Sequence, residues 1–157
     1  MRRWSEGERE IERLLATGHL QQVPPNREHA VALLAQARQS LTVAQMAIDA
    51  GALAPAYGQL WDAIRKALTA LLWTQGLRPT TKGGHLAVQL AAQAQFGQGT
   101  LRGALAPLGR VRSKRNDLEY PDPGTSLSPV EIDFAHQCAD DVVAMAAQLL
   151  DSLPVWH

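Results

Sequence analysis

The residues best suited to chemistry fall in one stretch, Arg110-Val111-Arg112-Ser113-Lys114-Arg115-Asn116-Asp117-Leu118-Glu119-Tyr120-Pro121. Four basic residues lie within six positions, followed by an amide, two acids, a phenol and a proline. As the end of a helix, at about 100° per residue, Leu108, Arg112, Arg115 and Glu119 share one face, flanked by Val111 and Leu118. Two arginines and a carboxylate thus continue an apolar stripe. Burying a charge costs several kcal/mol unless it is paired, so the pattern asks for a partner. Arg115 and Glu119, at i and i+4, can partly neutralise each other; Arg112 is left over. One reading is a solvated basic helix end that complements the helix dipole. The other is a cleft holding a phosphate or another anion, with Arg110, Arg112, Lys114 and Arg115 as donors.

A second anion-binding candidate is the segment Gly76-Leu-Arg-Pro-Thr-Thr-Lys-Gly-Gly84, which leads into His85. Small residues, Lys82 and two glycines before a helix N-terminus suit an anion. They equally suit a connection that needs unusual dihedrals. It is not a phosphate-binding P-loop, because the lysine precedes the glycines and no buried strand comes first. The five histidines and single cysteine form no metal-ligand pattern, with no Cys-x-x-Cys and no His pair at i, i+4. No metal or other cofactor is expected, and nothing supports a Ser/His/Asp triad. Cys138 sits on an apolar stripe and reads as a small buried hydrophobe.

The elements that must position these residues are helices. A chain of 157 residues with 46% hydrophobic and 19% charged residues is one domain with a real core. Ser5 and Glu8 have capping-box spacing for a short helix over 5–16, with Ile11, Leu14 and Leu15 as its apolar edge and Gly18 as its stop. Val23-Pro24-Pro25-Asn26 enters a long helix over 27–50, striped by Val31, Leu34, Ala37, Leu41, Ala44 and Ile48. A second covers 55–75, with Tyr57, Leu60, Trp61, Ile64, Leu68, Leu71 and Leu72 on one side. Arg65 lies at its flank or toward a cleft. Another runs from His85 to about Gly97, and the basic helix starts anew at Pro107. Ser128-Pro129 with Glu131 opens the last, whose expected inner face is Val130, Phe134, Cys138, Val142, Met145 and Leu149. No strand alternation of useful length is present. The expected fold is all-α: four to five main helices plus the short N-terminal one, with residues 1–26 as helix and linker and 27–153 as bundle core.

Net charge is zero, but residues 1–115 hold all 15 Lys and Arg and 7 acids, whereas 116–157 hold 8 acids and no Lys or Arg. Either the last helix sets its acids beside the basic helix within one chain, or the basic half meets a polyanion or a partner. With no apolar run of 18 residues and no disulfide pair, a cytoplasmic protein is expected, with no membrane partner.

Together with the order of elements before it, the basic stretch resembles the HEPN superfamily of small helical bundles. The resemblance spans roughly residues 11–150. Ala-Tyr-Gly-Gln-Leu-Trp-Asp-Ala-Ile-Arg-Lys-Ala-Leu at 56–68 is similar to the family's second helix, and Gly84-His85 to a pair that often opens the next. Arg115-Asn116-Asp117-Leu118-Glu119-Tyr120 falls where the family's Arg-x(4–6)-His motif belongs, with Tyr120 in the histidine's place. The resemblance implies a homodimer and a metal-independent endoribonuclease, a toxin–antitoxin or defence component. Two motifs would meet across the interface and the 2′-hydroxyl would attack the phosphate. Catalytic roles would then fall to Arg115, Asn116 and Tyr120. RNA contacts would fall to Arg110, Arg112, Lys114, Glu119, Lys82 and His85, and a partner would be an antitoxin or a nucleotidyltransferase. Tyrosine, with a reference pKa near 10, is a poor base at neutral pH. The alternative is therefore a non-catalytic HEPN domain that binds RNA, a nucleotide or a protein. A third reading makes Arg112, Arg115 and Glu119 a buried ion cluster that fixes helix register.

Overall fold

The computed structural model describes residues 5–156 and is an all-α bundle. Its elements are α1 (Glu8–Ala16), β1 (Leu20–Gln22), α2 (Arg27–Asp49), α3 (Leu53–Thr74), β2 (Leu77–Pro79), α4 (Gly84–Phe96), a 3-10 turn (Gly99–Leu101), α5 (Arg102–Leu105), α6 (Leu108–Glu119) and α7 (Pro129–Leu149). No described helix is long and apolar enough to cross a membrane.

The centre is α3. It buries Tyr57, Leu60, Trp61, Ile64, Leu68, Leu71 and Leu72, as the spacing predicts, and also Ala56, Ala63, Ala67 and Ala70. A helix buried on so many sides needs neighbours on several sides. α2 lies antiparallel on one of them: Asn26 N–H donates to the Trp73 carbonyl (3.1 Å), and the His29 ring meets Trp73 edge-on at 4.7 Å. α7 covers another, opening with the expected capping box, in which Ser128 and Glu131 each accept from the other's backbone N–H.

Where the structure departs from the sequence reading, the reasons are local. Ser5 does not cap α1. The helix begins after Gly7, at φ +73°, where a Cβ would stand 2.5 Å from the Ala94 backbone. Close approach of α1 to α4 selects a glycine there, and Ser5 contributes only its carbonyl, to Glu8 N–H at 3.4 Å. Val31 and Val130 are exposed, not inner, residues. Ala30 and Ile132 take the buried places in those first turns.

The linker regions also carry structure: β1 and β2 pair antiparallel, Leu20 opposite Pro79 and Gln22 opposite Leu77. Strands this short cannot show an alternation. They tie the N-terminal segment to the end of α3, and Ile11, Leu14 and Leu20 join the same core as the bundle. The chain after α7 folds back as well. Trp156 N–H donates to the Gln75 carbonyl (2.7 Å), and the Trp156 carbonyl accepts from Gln22 Nε2 (3.2 Å).

The charge asymmetry is met partly within the chain. Lys114 pairs with Glu131 at 3.2 Å and Arg27 with Asp151 at 2.5 Å, each joining the basic part to the acidic one.

Candidate functional site

Helix α6 is held by few apolar residues. Leu108 and Val111 are buried and Leu118 half-buried, so the rest of its surface is polar and lines three grooves, one toward α3, one toward α7 and one at its C-terminal end. Pro107 precedes the first turn, where a missing N–H costs nothing. The helix separates the predicted residues into two sets.

On the α3 flank, a groove of about 420 Å³ is lined by Pro55, Gly58 and Asp62 of α3 and by Arg115, Leu118 and Glu119 of α6. Arg115 pairs with Glu119 at 2.5 Å, as the i, i+4 spacing predicts, and its Nη1 reaches Asn116 Oδ1 at 3.5 Å. Asp62 pairs with Arg65 at 3.4 Å, and the Arg65 Nε–H is buried with no partner among the described residues.

His85, at the start of α4, belongs to this group. Its pKa is pushed below the ordinary value, first by burial and then by the fields of Arg65 and Arg115; Asp62 and Glu119 oppose the shift. The fold therefore brings five titratable groups from three helices within electrostatic range. The sequence named Arg115, Glu119 and His85 and left Arg65 open; Asp62 was missed. The available signal was its i, i+3 spacing to Arg65.

The proton on His85 is located by its neighbour. An indole N–H only donates, and Trp61 Nε1 donates to His85 Nδ1 at 3.0 Å. The neutral imidazole therefore carries its proton on Nε2. It offers that N–H as a donor, while the lone pair a general base needs is occupied. Because the folded pKa is depressed, the unfolded chain binds this proton more readily. The His85 contribution to stability is complete above the unfolded value of 6.5 and is lost as pH falls through the folded pKa. A thermal-melt series from pH 7 to 5 is expected to show falling stability. The fall should be shallower in His85→Asn, which cannot charge.

The other flank of α6 faces α7. Arg110 lies over the Phe134 ring, 4.2 Å from its centroid. Lys114 donates to the Ser126 carbonyl at 2.5 Å and pairs with Glu131, holding the connection to α7 in place. The Glu131 carboxyl titrates below its usual range, first because the Ser128 backbone N–H donates to it and then because of Lys114. Tyr120 ends α6 at 78% exposure and lines a third groove with Lys114, Asp117 and Asp122. Within the chain, Tyr120 and Arg115 thus open onto different grooves.

Two predicted contacts are committed elsewhere. Arg112 Nε donates to Gln89 Oε1 at 2.7 Å, bracing α6 against α4, and so is not left over. Lys82 Nζ donates to the Thr17 carbonyl at 2.8 Å, at the C-terminal end of α1. Cys138 is buried and its thiol is pushed up to about 12, chiefly by burial, which leaves it unreactive. Among the described residues, no group of three His, Cys, Asp or Glu is placed to hold a metal ion.

Comparison of the chain with family models, curated proteins and solved structures finds no match.

Proposed function

We propose that this chain is a HEPN-like helical domain that holds a phosphate of RNA or a nucleotide at Arg115 without cleaving it. One observation carries the reading: Arg115 lines an open groove whose lining holds neither an imidazole nor a phenol. Tyr120 opens elsewhere, and the His85 lone pair accepts from Trp61. The groove's cation is the Arg115 guanidinium, set beside the carboxylates of Asp62 and Glu119, with His85 and Arg65 within electrostatic range.

Glu119 competes with the ligand for Arg115. A part-exposed ion pair of this kind contributes at most about 1 kcal/mol, whereas a hydrogen bond to a charged phosphate contributes about 1.5–3 kcal/mol. A phosphate that binds Arg115 therefore has only a weakly held carboxylate to displace.

The test is incubation with structured RNA and tRNA in EDTA, with binding measured across salt concentrations. RNA should be retained intact, and retention should fall as salt rises. Arg115→Ala should weaken it about tenfold or more, and Glu119→Gln should strengthen it by up to about fivefold. Cleavage that leaves cyclic-phosphate ends, and is lost in Arg115→Ala, would overturn the binding reading in favour of a metal-independent ribonuclease. One observation favours that second reading: an imidazole, His85, does lie in the field of Arg115. Its rotation away from Trp61 would free the missing base.

A further inference from the structure

The α7 flank of α6 holds a cavity that the phosphate reading does not use. It measures about 250 Å³, with Tyr57 at its floor and Arg110, Ser113, Asp117 and Phe134 among its walls. Small-molecule pockets begin at roughly 300 Å³, so this one suits a single ring system. It adjoins the Tyr120 groove, because Lys114 and Asp117 line both.

Tyr57 is the telling residue. It is 1% exposed, yet its hydroxyl has no hydrogen-bond partner among the described residues. A phenylalanine would fill the same space without the cost of an unpaired buried hydroxyl. The oxygen is not among the sealed unpaired atoms of the core, and the residue lines the cavity, so the hydroxyl reaches that space. Burial, the largest cause, raises its pKa to about 12, so it stays an O–H donor throughout the neutral range.

The remaining walls narrow the ligand class. Arg110 has its guanidinium against Phe134 and makes no ion pair among the described residues. Its other face is a ready stacking platform, and the exposed Tyr120 ring stands in the adjoining groove. Tyr57, Ser113 and Arg110 supply donors, while Asp117 supplies an acceptor. Lys114 pairs with Glu131, and the lining's other two charges, Arg110 and Asp117, are of opposite sign. The cavity therefore does not suit a bare anion. It suits a neutral, planar heterocycle with donors and acceptors along one edge.

We propose that this cavity is a nucleobase subsite, in which Tyr57, Ser113 and Asp117 meet the edge of the base and Arg110 stacks on its face. The proposal deepens the RNA- or nucleotide-binding reading and rests on it for the source of the base.

The test is calorimetric titration of the full chain with the four nucleosides, their 5′-monophosphates, inorganic phosphate and a short single-stranded RNA. At least one nucleoside should bind without its phosphate. Tyr57→Phe should weaken that binding by about 2–10-fold, the range for one hydrogen bond, while melting no lower than the wild type. Asp117→Asn should change which base is preferred. Tighter, equally Tyr57-dependent binding of RNA would support a strand as the source of the base. Tyr57-dependent binding of monophosphates alone would support a free nucleotide. Failure of every nucleoside and monophosphate to bind, or equal binding by folded Tyr57→Phe, would overturn the subsite. RNA retention that needs Arg115 but ignores Tyr57 would likewise overturn the subsite and leave the phosphate reading standing. Tyr57-dependent nucleoside binding, with RNA retention indifferent to Arg115→Ala, would support the subsite and remove the phosphate reading.

Discussion

Trp156→Ala is expected to destabilise the protein by about 3–5 kcal/mol, the usual cost of emptying a buried tryptophan site. For a chain of this size each kcal/mol lowers the melting temperature by about 2–4 °C, so the fall should be of order 10 °C. The residue follows Pro154, outside any helix, where little loss would ordinarily be expected. Here the indole is 2% exposed, and its backbone is bonded at both polar groups, to Gln75 and to Gln22. Gln75 follows α3 and Gln22 ends β1, so the tail joins the central helix to the N-terminal segment. Loss of the tail should loosen β1 and α1 before the rest. Hydrogen exchange in Trp156→Ala should therefore accelerate first at Val23 N–H, which donates to the Gly76 carbonyl at 2.8 Å. A melting temperature within a degree or two of the wild type would show that the tail adds nothing to the core.

The same residue shows where sequence reading stops. Apolar spacing found α2, α3 and α7 because each has a face of many turns, and a stripe averaged over many turns tolerates local error. Trp156 stands in no stripe, after Pro154, and only a tertiary contact gives it a place. The errors within helices have a related cause. The buried side of α2 includes Ala30, Ala37 and Ala44, seven residues apart, small side chains that suit the close packing of α2 on α3. A reading that ranks residues by hydrophobicity prefers Val31 to Ala30, whereas packing prefers the smaller side chain.

In the candidate site the division is equally physical. The Arg115–Glu119 pair was legible because both partners stand on one helix at a fixed spacing. The hydrogen bond from Trp61 to His85 spans 24 residues and the Tyr57 cavity lies between three helices, so no local pattern encodes either. Tyr57 itself was read as core, correctly; its unpaired hydroxyl is visible only once its neighbours are known.

Neighbouring glycines at the start of α4 should respond to alanine for different reasons, and the larger effect belongs to Gly83. The loop was legible as a connection that needs unusual dihedrals, and Gly84 fits that reading. Its φ is +53°, and a Cβ there would meet nothing within 4 Å. Gly84→Ala should cost only the left-handed backbone penalty, about 1–2 kcal/mol. Gly83 has an ordinary φ of −75°, so no dihedral argument applies to it. It is glycine because of space: a Cβ would overlap the His19 carbonyl oxygen and stand 2.7 Å from the Ala87 Cβ. Neither obstacle is the far end of a flexible side chain. One is backbone, and the other is a buried alanine in the first turn of α4. Overpacking of this kind costs about 1–3 kcal/mol and occasionally more, and relief requires α4 to move away from the turn after α1. That movement carries His85 with it and stretches the bond from Trp61. Gly83→Ala should therefore melt below the temperature of Gly84→Ala. It should also release the His85 pKa toward its ordinary value, followed by NMR titration of the ring protons, and speed exchange of the Trp61 indole N–H. If both variants lose stability equally and His85 titrates as in the wild type, the contact between α4 and the His19 turn does not position the imidazole. The Arg115 region would then owe the alignment of His85 to Trp61 alone.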